Sequence, residues 1–197
     1  MREAAQAGTA RHDGRRAMTR AGRFGSVTET ALTLALGMAA IYAALLPYSL
    51  SADRLPAPDL VYCLVAAWTI RRPSAAPLWA ILLLGLAGDV LTSRPPGLGA
   101  LGLLLGAEAL RANAGFLRSG PFVAEWLAVA AVFAAMLVAM SVALHVAFLD
   151  GPGAGPLLGH AVVTALAYPF VAALLNWGVG MRAPRRPAGD DRLGRIK

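Results

Sequence analysis

Charged residues are scarce in this sequence and make up 15% of its 197 residues, against about 25% in ordinary soluble domains. Hydrophobic residues reach 57%. A chain of this composition cannot hide its apolar surface from water in one small core. The shortage of charge therefore excludes an ordinary soluble domain. The long apolar runs between two charged tails indicate an integral membrane protein.

Cysteine and the motifs of common catalysts are also nearly or wholly missing. The one cysteine, Cys63, cannot form an internal disulfide and lies in an apolar run, where we expect it to be a packing residue. The chain has no GxSxG nucleophile elbow, phosphate-binding loop, zinc motif or dinucleotide fingerprint. We therefore predict no catalytic residue, no metal site and no cofactor, and we expect that the protein is not an enzyme.

The net charge of +7 raises the question of nucleic acid, but the cations are placed differently. No basic stripe alternates with aromatic residues, so we predict no nucleic-acid binding. Of the 18 Lys and Arg, six precede residue 24 and six follow residue 181. The remaining cations occupy gaps between apolar segments: Arg54, Arg71, Arg72, Arg94, Arg111 and Arg118.

Six apolar segments predict an all-α bundle of six transmembrane helices. They cover about residues 29–50, 56–70, 75–92, 96–110, 122–149 and 155–181. With six spans, all cations except Arg54 and Arg94 fall on one side, and Lys and Arg accumulate on the cytoplasmic side. We therefore predict a basic cytoplasmic tail over 1–28, a membrane domain over 29–181 and a second basic cytoplasmic tail over 182–197.

The predicted spans differ in length. The first, fifth and sixth are long enough to cross a hydrocarbon core of roughly 30 Å, and the three middle segments are shorter. Backbone groups that face lipid without a partner cost several kcal/mol each. We therefore expect a compact bundle in which neighbouring protein shields the short middle helices.

Two aspartates lie in the short segments. Asp59 follows Pro58 at the start of the second segment, where the helix dipole favours a carboxylate, so we interpret it as a helix-start residue. Asp89 lies near the end of the third segment, where the dipole and desolvation both disfavour it. It needs a partner such as Arg94, a backbone amide of the following turn, or another subunit. We hypothesise that Asp89 and residues 94–97 fix a rigid turn.

Other polar residues support simpler interpretations. Glu108 precedes Arg111 by three residues, which predicts a helix-surface ion pair at the opposite end of the bundle from Asp89. Ser141 and His145 share a helix face, and we expect them to make hydrogen bonds between helices. Pro169 is expected to kink the last helix.

Small residues are concentrated in the third and fourth segments. Gly102 and Gly106 form a GxxxG step, and small residues let helix backbones approach closely in lipid. The step belongs to a series of glycines that Gly85 and Gly88 are expected to face from the preceding helix: Gly97, Gly99, Gly102 and Gly106. We therefore predict close packing of the third and fourth segments, with a surface for a partner helix as the alternative. The candidate structural and partner-contact residues are Pro58, Asp59, Gly85, Gly88, Asp89, Arg94, Pro96, Gly97, Gly102 and Gly106.

The order PDLVYCLVAAW, RRP, LLLGLAGDVLTSRPPGLGAL and a helix that ends in Arg111 resembles the rod shape-determining protein MreD family. The resemblance covers about residues 56 to 111. Its matching residues are Pro58-Asp59, Trp68, Arg72-Pro73, Gly85, Gly88-Asp89-Val90-Leu91, Pro96-Gly97-Leu98 and Ala100-Leu101, with Tyr168-Pro169 in the last helix as a weaker match. Family members often carry a histidine where this chain has Gly99.

The resemblance implies a non-catalytic, multi-pass component of the bacterial inner membrane that belongs to the cell-elongation machinery. The partners it implies are an MreC-type scaffold, a RodA-type glycosyltransferase, a penicillin-binding transpeptidase and the MreB filament, which together direct lateral peptidoglycan synthesis and cell shape. Membrane lipids are a further expected partner. The alternative is a substrate-binding membrane component of an energy-coupling vitamin transporter, which the architecture also resembles.

Overall fold

The computed structural model describes residues 27–46, 57–93, 95–149 and 153–178. Over these residues the chain is helical and contains no strand. The helices are α1 Val27–Leu45, α2 Leu60–Arg71, α3 Leu78–Leu91, α4 Leu98–Ala112, α5 Ala114–Ser119, α6 Phe122–Val146 and α7 Ala154–Gly178. Each of the six predicted segments contains one helix, and the short α5 is an addition that the apolar pattern did not predict.

Three helices are long and apolar enough to cross a membrane, namely α1, α6 and α7. Their large outward-facing side chains are apolar and exposed, as hydrocarbon requires. On α7 this face carries Leu158, Val162, Leu166, Phe170, Leu174 and Trp177, and the opposite face buries Thr164, Tyr168, Ala172 and Leu175. Lengths and surfaces together indicate a membrane helical bundle.

The short helix α2 forms the centre of the bundle. Every residue from Tyr62 to Ile70 is buried, so protein surrounds this helix on all sides. The indole of Trp68 and the ring of Tyr62 are among the largest fully buried side chains. Shielding is therefore confirmed for α2.

Shielding is only partial for α3 and α4, and here the prediction was too general. Leu82, Leu83 and Leu86 of α3 are exposed, as are Leu101 and Leu105 of α4. The reason is packing: these helices lie beside each other at the edge of the bundle, and each keeps one face toward the core.

We call one end of the bundle the arginine end, because Arg72 and Arg111 lie there and contact the ends of neighbouring helices. The Arg72 guanidinium pairs with Glu29 at the start of α1. Arg111, in the last turn of α4, donates from Nη2 to the Ala76 carbonyl before α3, at 2.6 Å. Its Nη1 lies 2.6 Å from Glu108, so the predicted ion pair is confirmed. The opposite end, where α3 turns into α4, is called the turn end.

Candidate functional site at the turn end

Asp89 is buried at the turn end, with 2% of its surface exposed. Its Oδ2 accepts one hydrogen bond from the Gly97 amide at 2.9 Å and a second from the Ala100 amide at 3.1 Å. These amides are at the N-cap and third positions of α4, two of the donors that a helix start leaves without an intrahelical partner. One carboxylate from α3 therefore caps the next helix.

This arrangement explains how Asp89 tolerates its position. The C-terminal end of α3 disfavours a negative charge, but the N-terminal end of α4 favours one, and the carboxylate contacts α4 directly. Of the three predicted partners, the backbone amide of the turn is the one observed. Arg94, the other candidate within the chain, lies outside the described residues.

Glycines make room for this contact. Gly97 has a φ of 92°, a left-handed conformation that favours glycine, and it has no side chain with which to cap α4 itself. A Cβ at Gly99 would collide with Asp89 Oδ1. Any side chain at position 99 would therefore displace the carboxylate.

Gly85 brings α3 and α4 into close contact one turn deeper. A Cβ at this position would lie 2.5 Å from the Cα atom of Ala100, closer than real side chains approach a backbone. Ala100 also supplies one of the amides that bind Asp89. The close packing and the carboxylate cap therefore hold the same turn of α4.

Asp59 starts α2 as predicted. Its Oδ1 accepts from the Tyr62 amide at 2.9 Å, which is an N-cap hydrogen bond. The Asp59 amide donates to the Thr164 hydroxyl of α7 at 3.0 Å. The cap therefore also joins the central helix to α7.

A cavity of about 330 Å³ lies between α1, α2, α3, α4, α6 and α7 at this end. We call it the turn-end cavity. Asp59, Asp89, Thr92 and His160 supply its polar lining, and the remaining lining is mostly apolar. An adjoining cavity of about 340 Å³ shares Asp59, His160, Met136 and Met140 with it and extends between α6 and α7.

The structure brings several of the predicted site residues together and separates others. Pro58, Asp59, Gly85, Gly88 and Asp89 all line the turn-end cavity. Gly97 is half-buried in the turn, and Pro96 is exposed beside it.

The predicted close packing of α3 and α4 is confirmed at Gly85 and Gly99, which contact Ala100 and Asp89. Gly102 and Gly106 do not take part in it, so that part of the prediction was wrong. A Cβ at Gly102 would meet Met136 of α6 at 2.9 Å, and one at Gly106 would meet Val132 of α6 at 3.4 Å. The reason is helical geometry, since Ala100 is on the face toward α3 and the two glycines are on another.

Further predicted polar contacts turn out to be local. His145 is exposed and its Nδ1 donates to the Ser141 carbonyl one turn earlier at 2.9 Å, so the expected bond between helices is not the one observed.

Cys63 is fully buried, as a packing residue should be. Within the described ranges no group of three His, Cys, Asp or Glu side chains is placed to hold a metal ion.

A second buried carboxylate, Glu125, lies near the arginine end, and sequence reasoning missed it. Its Oε1 accepts from Arg71 Nη2 at 3.1 Å and from the Tyr168 hydroxyl at 2.5 Å. Arg71 also donates to the Ala172 carbonyl of α7 at 3.4 Å. This network joins α2, α6 and α7, and the one sequence signal for it was an acid in the first turn of a long apolar helix.

Trp126 supports α7 where Pro169 interrupts the helical hydrogen bonds. Proline has no N–H, so the Ala165 carbonyl, four residues earlier, lacks its usual donor. The Trp126 indole of α6 donates to that carbonyl at 2.7 Å. The helix runs continuously from Ala154 to Gly178 through Pro169.

Comparison of this chain with protein-family models, curated proteins and solved structures finds no match.

Proposed function

We propose that this chain is a non-catalytic inner-membrane component of a bacterial cell-elongation complex, which helps an MreC-type scaffold and cell-wall synthases direct lateral peptidoglycan synthesis. The proposal rests on the resemblance over residues 56 to 111. One observation supports it: several residues that carry the resemblance contact one another where α3 turns into α4. Asp89 bonds Gly97 and Ala100, and Gly85 packs against Ala100.

The proposed topology has six spans with both termini in the cytoplasm. Contacts at the arginine end support it, because Arg71, Arg72 and Arg111 meet neighbouring helix ends there. Cations on one side are the signature of a cytoplasmic face. At 1.5 Å per residue, the 12 to 15 residues of α2, α3 and α4 measure about 18–22 Å. These helices span the membrane with neighbouring protein at their ends.

Lipid contacts follow from the same topology. The exposed apolar faces of α6 and α7 lie in the hydrocarbon, and the arginines of the two tails meet anionic headgroups of the inner leaflet. The scaffold, the RodA-type glycosyltransferase, the transpeptidase and the MreB filament are the protein partners of this proposal. The membrane is the bacterial inner membrane.

A second candidate function is the substrate-binding membrane component of an energy-coupling vitamin transporter. The turn-end cavity favours this function, because a helical bundle that binds a small molecule needs several polar side chains that line one cavity. Asp59, Asp89 and His160 all line that space.

Depletion of the chain in its native bacterium tests the first candidate against the second. We expect rod-shaped cells to become round, and we expect the wild-type gene to restore the rod shape. Asp89→Ala should fail to restore it because the turn loses its cap. Gly115→Ala is the matched control, since a Cβ there meets nothing within 4 Å. Normal shape with loss of uptake of one vitamin would instead favour the transporter.

A further inference from the structure

We infer that the turn-end cavity is a binding site for an amphipathic molecule that carries a positively charged amino or ammonium group. Its volume of about 330 Å³ is within the range of small-molecule sites, roughly 300–1,000 Å³. The inference concerns the cavity alone and holds whichever proteins assemble with the chain.

The two carboxylates of the cavity supply the charge. Each uses one oxygen for backbone amides: Asp59 Oδ1 accepts from Tyr62, and Asp89 Oδ2 accepts from Gly97 and Ala100. Within the described residues, the second oxygen of each makes no hydrogen bond. Asp89 Oδ1 lies against Gly99, which lines the same cavity. A charged group with several N–H donors in the cavity would supply donors for carboxylate oxygens of this lining.

Glu125 is a buried carboxylate whose negative charge is compensated within the protein. It has an arginine and a tyrosine hydroxyl as partners. Of the described residues that line the turn-end cavity, His160 is the only base, and it faces two acids. The backbone amides that bind Asp59 and Asp89 stabilise these carboxylates but carry no net charge, so the negative charge of the pair remains in the cavity. The cavity therefore favours a ligand cation over an anion or a neutral molecule.

The adjoining cavity fits an apolar body on the same ligand. Leucine and methionine side chains of α4, α6 and α7 supply most of its lining, and it meets the turn-end cavity at Asp59, Met136, Met140 and His160. An ammonium group beside Asp59, which lines both cavities, would place a short alkyl chain along these residues. Both a soluble alkylamine and the ethanolamine headgroup of a lipid have this chemistry.

The test uses the full chain in nanodiscs and calorimetric titration with hexylammonium, hexanol and hexanoate, with empty nanodiscs as the blank. We expect hexylammonium to bind, and we expect hexanol and hexanoate to bind at least about tenfold more weakly. The reason is that a hydrogen bond to a charged group contributes more free energy than a tenfold change in affinity requires. Asp59→Asn should lower the affinity by about tenfold on the same reasoning and should still cap α2, because asparagine is also a good N-cap.

A cavity-filling variant keeps the test independent of the carboxylates. A Cβ at Gly88 meets nothing within 4 Å, and Gly88 lines the turn-end cavity. Gly88→Leu should therefore fold and abolish binding. Gly155→Leu is the matched control, because Gly155 has equally open space and is not among the residues that line this cavity. It should bind like the wild type.

Native mass spectrometry separates the two sources of the ammonium group. With a lipid ligand, the wild-type chain retains phosphatidylethanolamine and Gly88→Leu loses it. With a soluble ligand, the two chains retain the same lipids, and hexylammonium still binds to the wild type and not to Gly88→Leu. Equal affinity for hexylammonium and hexanol, or unchanged binding in Gly88→Leu, would overturn the inference. So would binding that appears only after Arg54 or Arg94 is replaced by alanine, because the chain would then supply its own cation.

Discussion

The two ends of the bundle hold their buried carboxylates in different ways. At the arginine end, Glu125 is bound by the side chains of Arg71 and Tyr168, which come from two other helices. At the turn end, Asp89 is bound by two backbone amides of the helix that follows it. The first arrangement fastens distant helices to each other, and the second fixes the direction of one turn.

This difference determines how each end should respond to substitution. A side-chain network leaves a charged partner behind when one member is removed. A backbone cap leaves only neutral N–H groups behind. The arginine end should therefore be the more sensitive to loss of its carboxylate, and the turn end the more sensitive to added volume.

The largest expected effect is at the arginine end. Glu125→Ala should lower the free energy of unfolding by about 3–5 kcal/mol, because it leaves the largely buried Arg71 guanidinium without its carboxylate. Unfolding in mixed micelles measures this. The double variant Arg71→Met with Glu125→Leu should recover most of the loss, because an apolar pair can replace a buried ion pair. A double variant as unstable as the single one would contradict the proposed cause.

The second-largest expected effect is the loss of stability when volume is added at the turn end. Gly85→Ala should lower the free energy of unfolding by about 1–3 kcal/mol, because the new methyl group overlaps the backbone of Ala100 and forces α3 and α4 apart. The matched control is Gly88→Ala, three residues along the same helix, where the methyl group meets nothing. It should be neutral or up to about 1 kcal/mol stabilising, from helix propensity alone. Equal effects at both glycines would show that close packing is not the cause.

Loss of the cap at the turn end should have a smaller effect. Asp89→Ala should cost about 1–2 kcal/mol, because the Gly97 and Ala100 amides lose their acceptor. Asp89→Asn keeps an acceptor oxygen and should lose less than half as much. Hydrogen exchange at the Gly97 and Ala100 amides gives a local readout: alanine should speed it and asparagine should leave it nearly unchanged. Fast exchange in the wild type would contradict the cap.

The smallest expected effect concerns Trp126. Trp126→Phe should cost about 1 kcal/mol beyond any packing change, because the Ala165 carbonyl loses its donor. In a Pro169→Ala background the restored N–H can serve that carbonyl within α7, so the hydrogen-bond part of the loss should disappear. A double-mutant cycle on thermal unfolding measures this coupling. Additive effects would show that the two residues are independent.

Much of the fold could be predicted because hydropathy is a local property of the chain. The six apolar runs each contain a helix, and Asp59 and Glu108 act as their spacing indicates. Asp89 could be predicted to need a partner, since its dipole environment follows from its position in the helix. Its partners turned out to be the Gly97 and Ala100 amides, and the sequence pattern alone left three choices.

Other parts could not be predicted because they depend on pairs that are distant in sequence. The only local sign of Glu125 is its place in the first turn of a long apolar helix, and its partners Arg71 and Tyr168 are 54 and 43 residues away. The orientation of Gly102 and Gly106 depends on where α6 lies beside α4. The turn-end cavity is formed by six helices, so no single stretch of sequence contains it.

The most direct test of the proposed role is a mild-detergent pull-down of the tagged chain from its native bacterium, with mass spectrometry of the proteins that remain bound. The account predicts recovery of the MreC-type scaffold, with the wall synthases in smaller amounts, and loss of the scaffold from Asp89→Ala but not from Gly115→Ala. Recovery of ATPase subunits and a transporter coupling protein, without the scaffold, would contradict it.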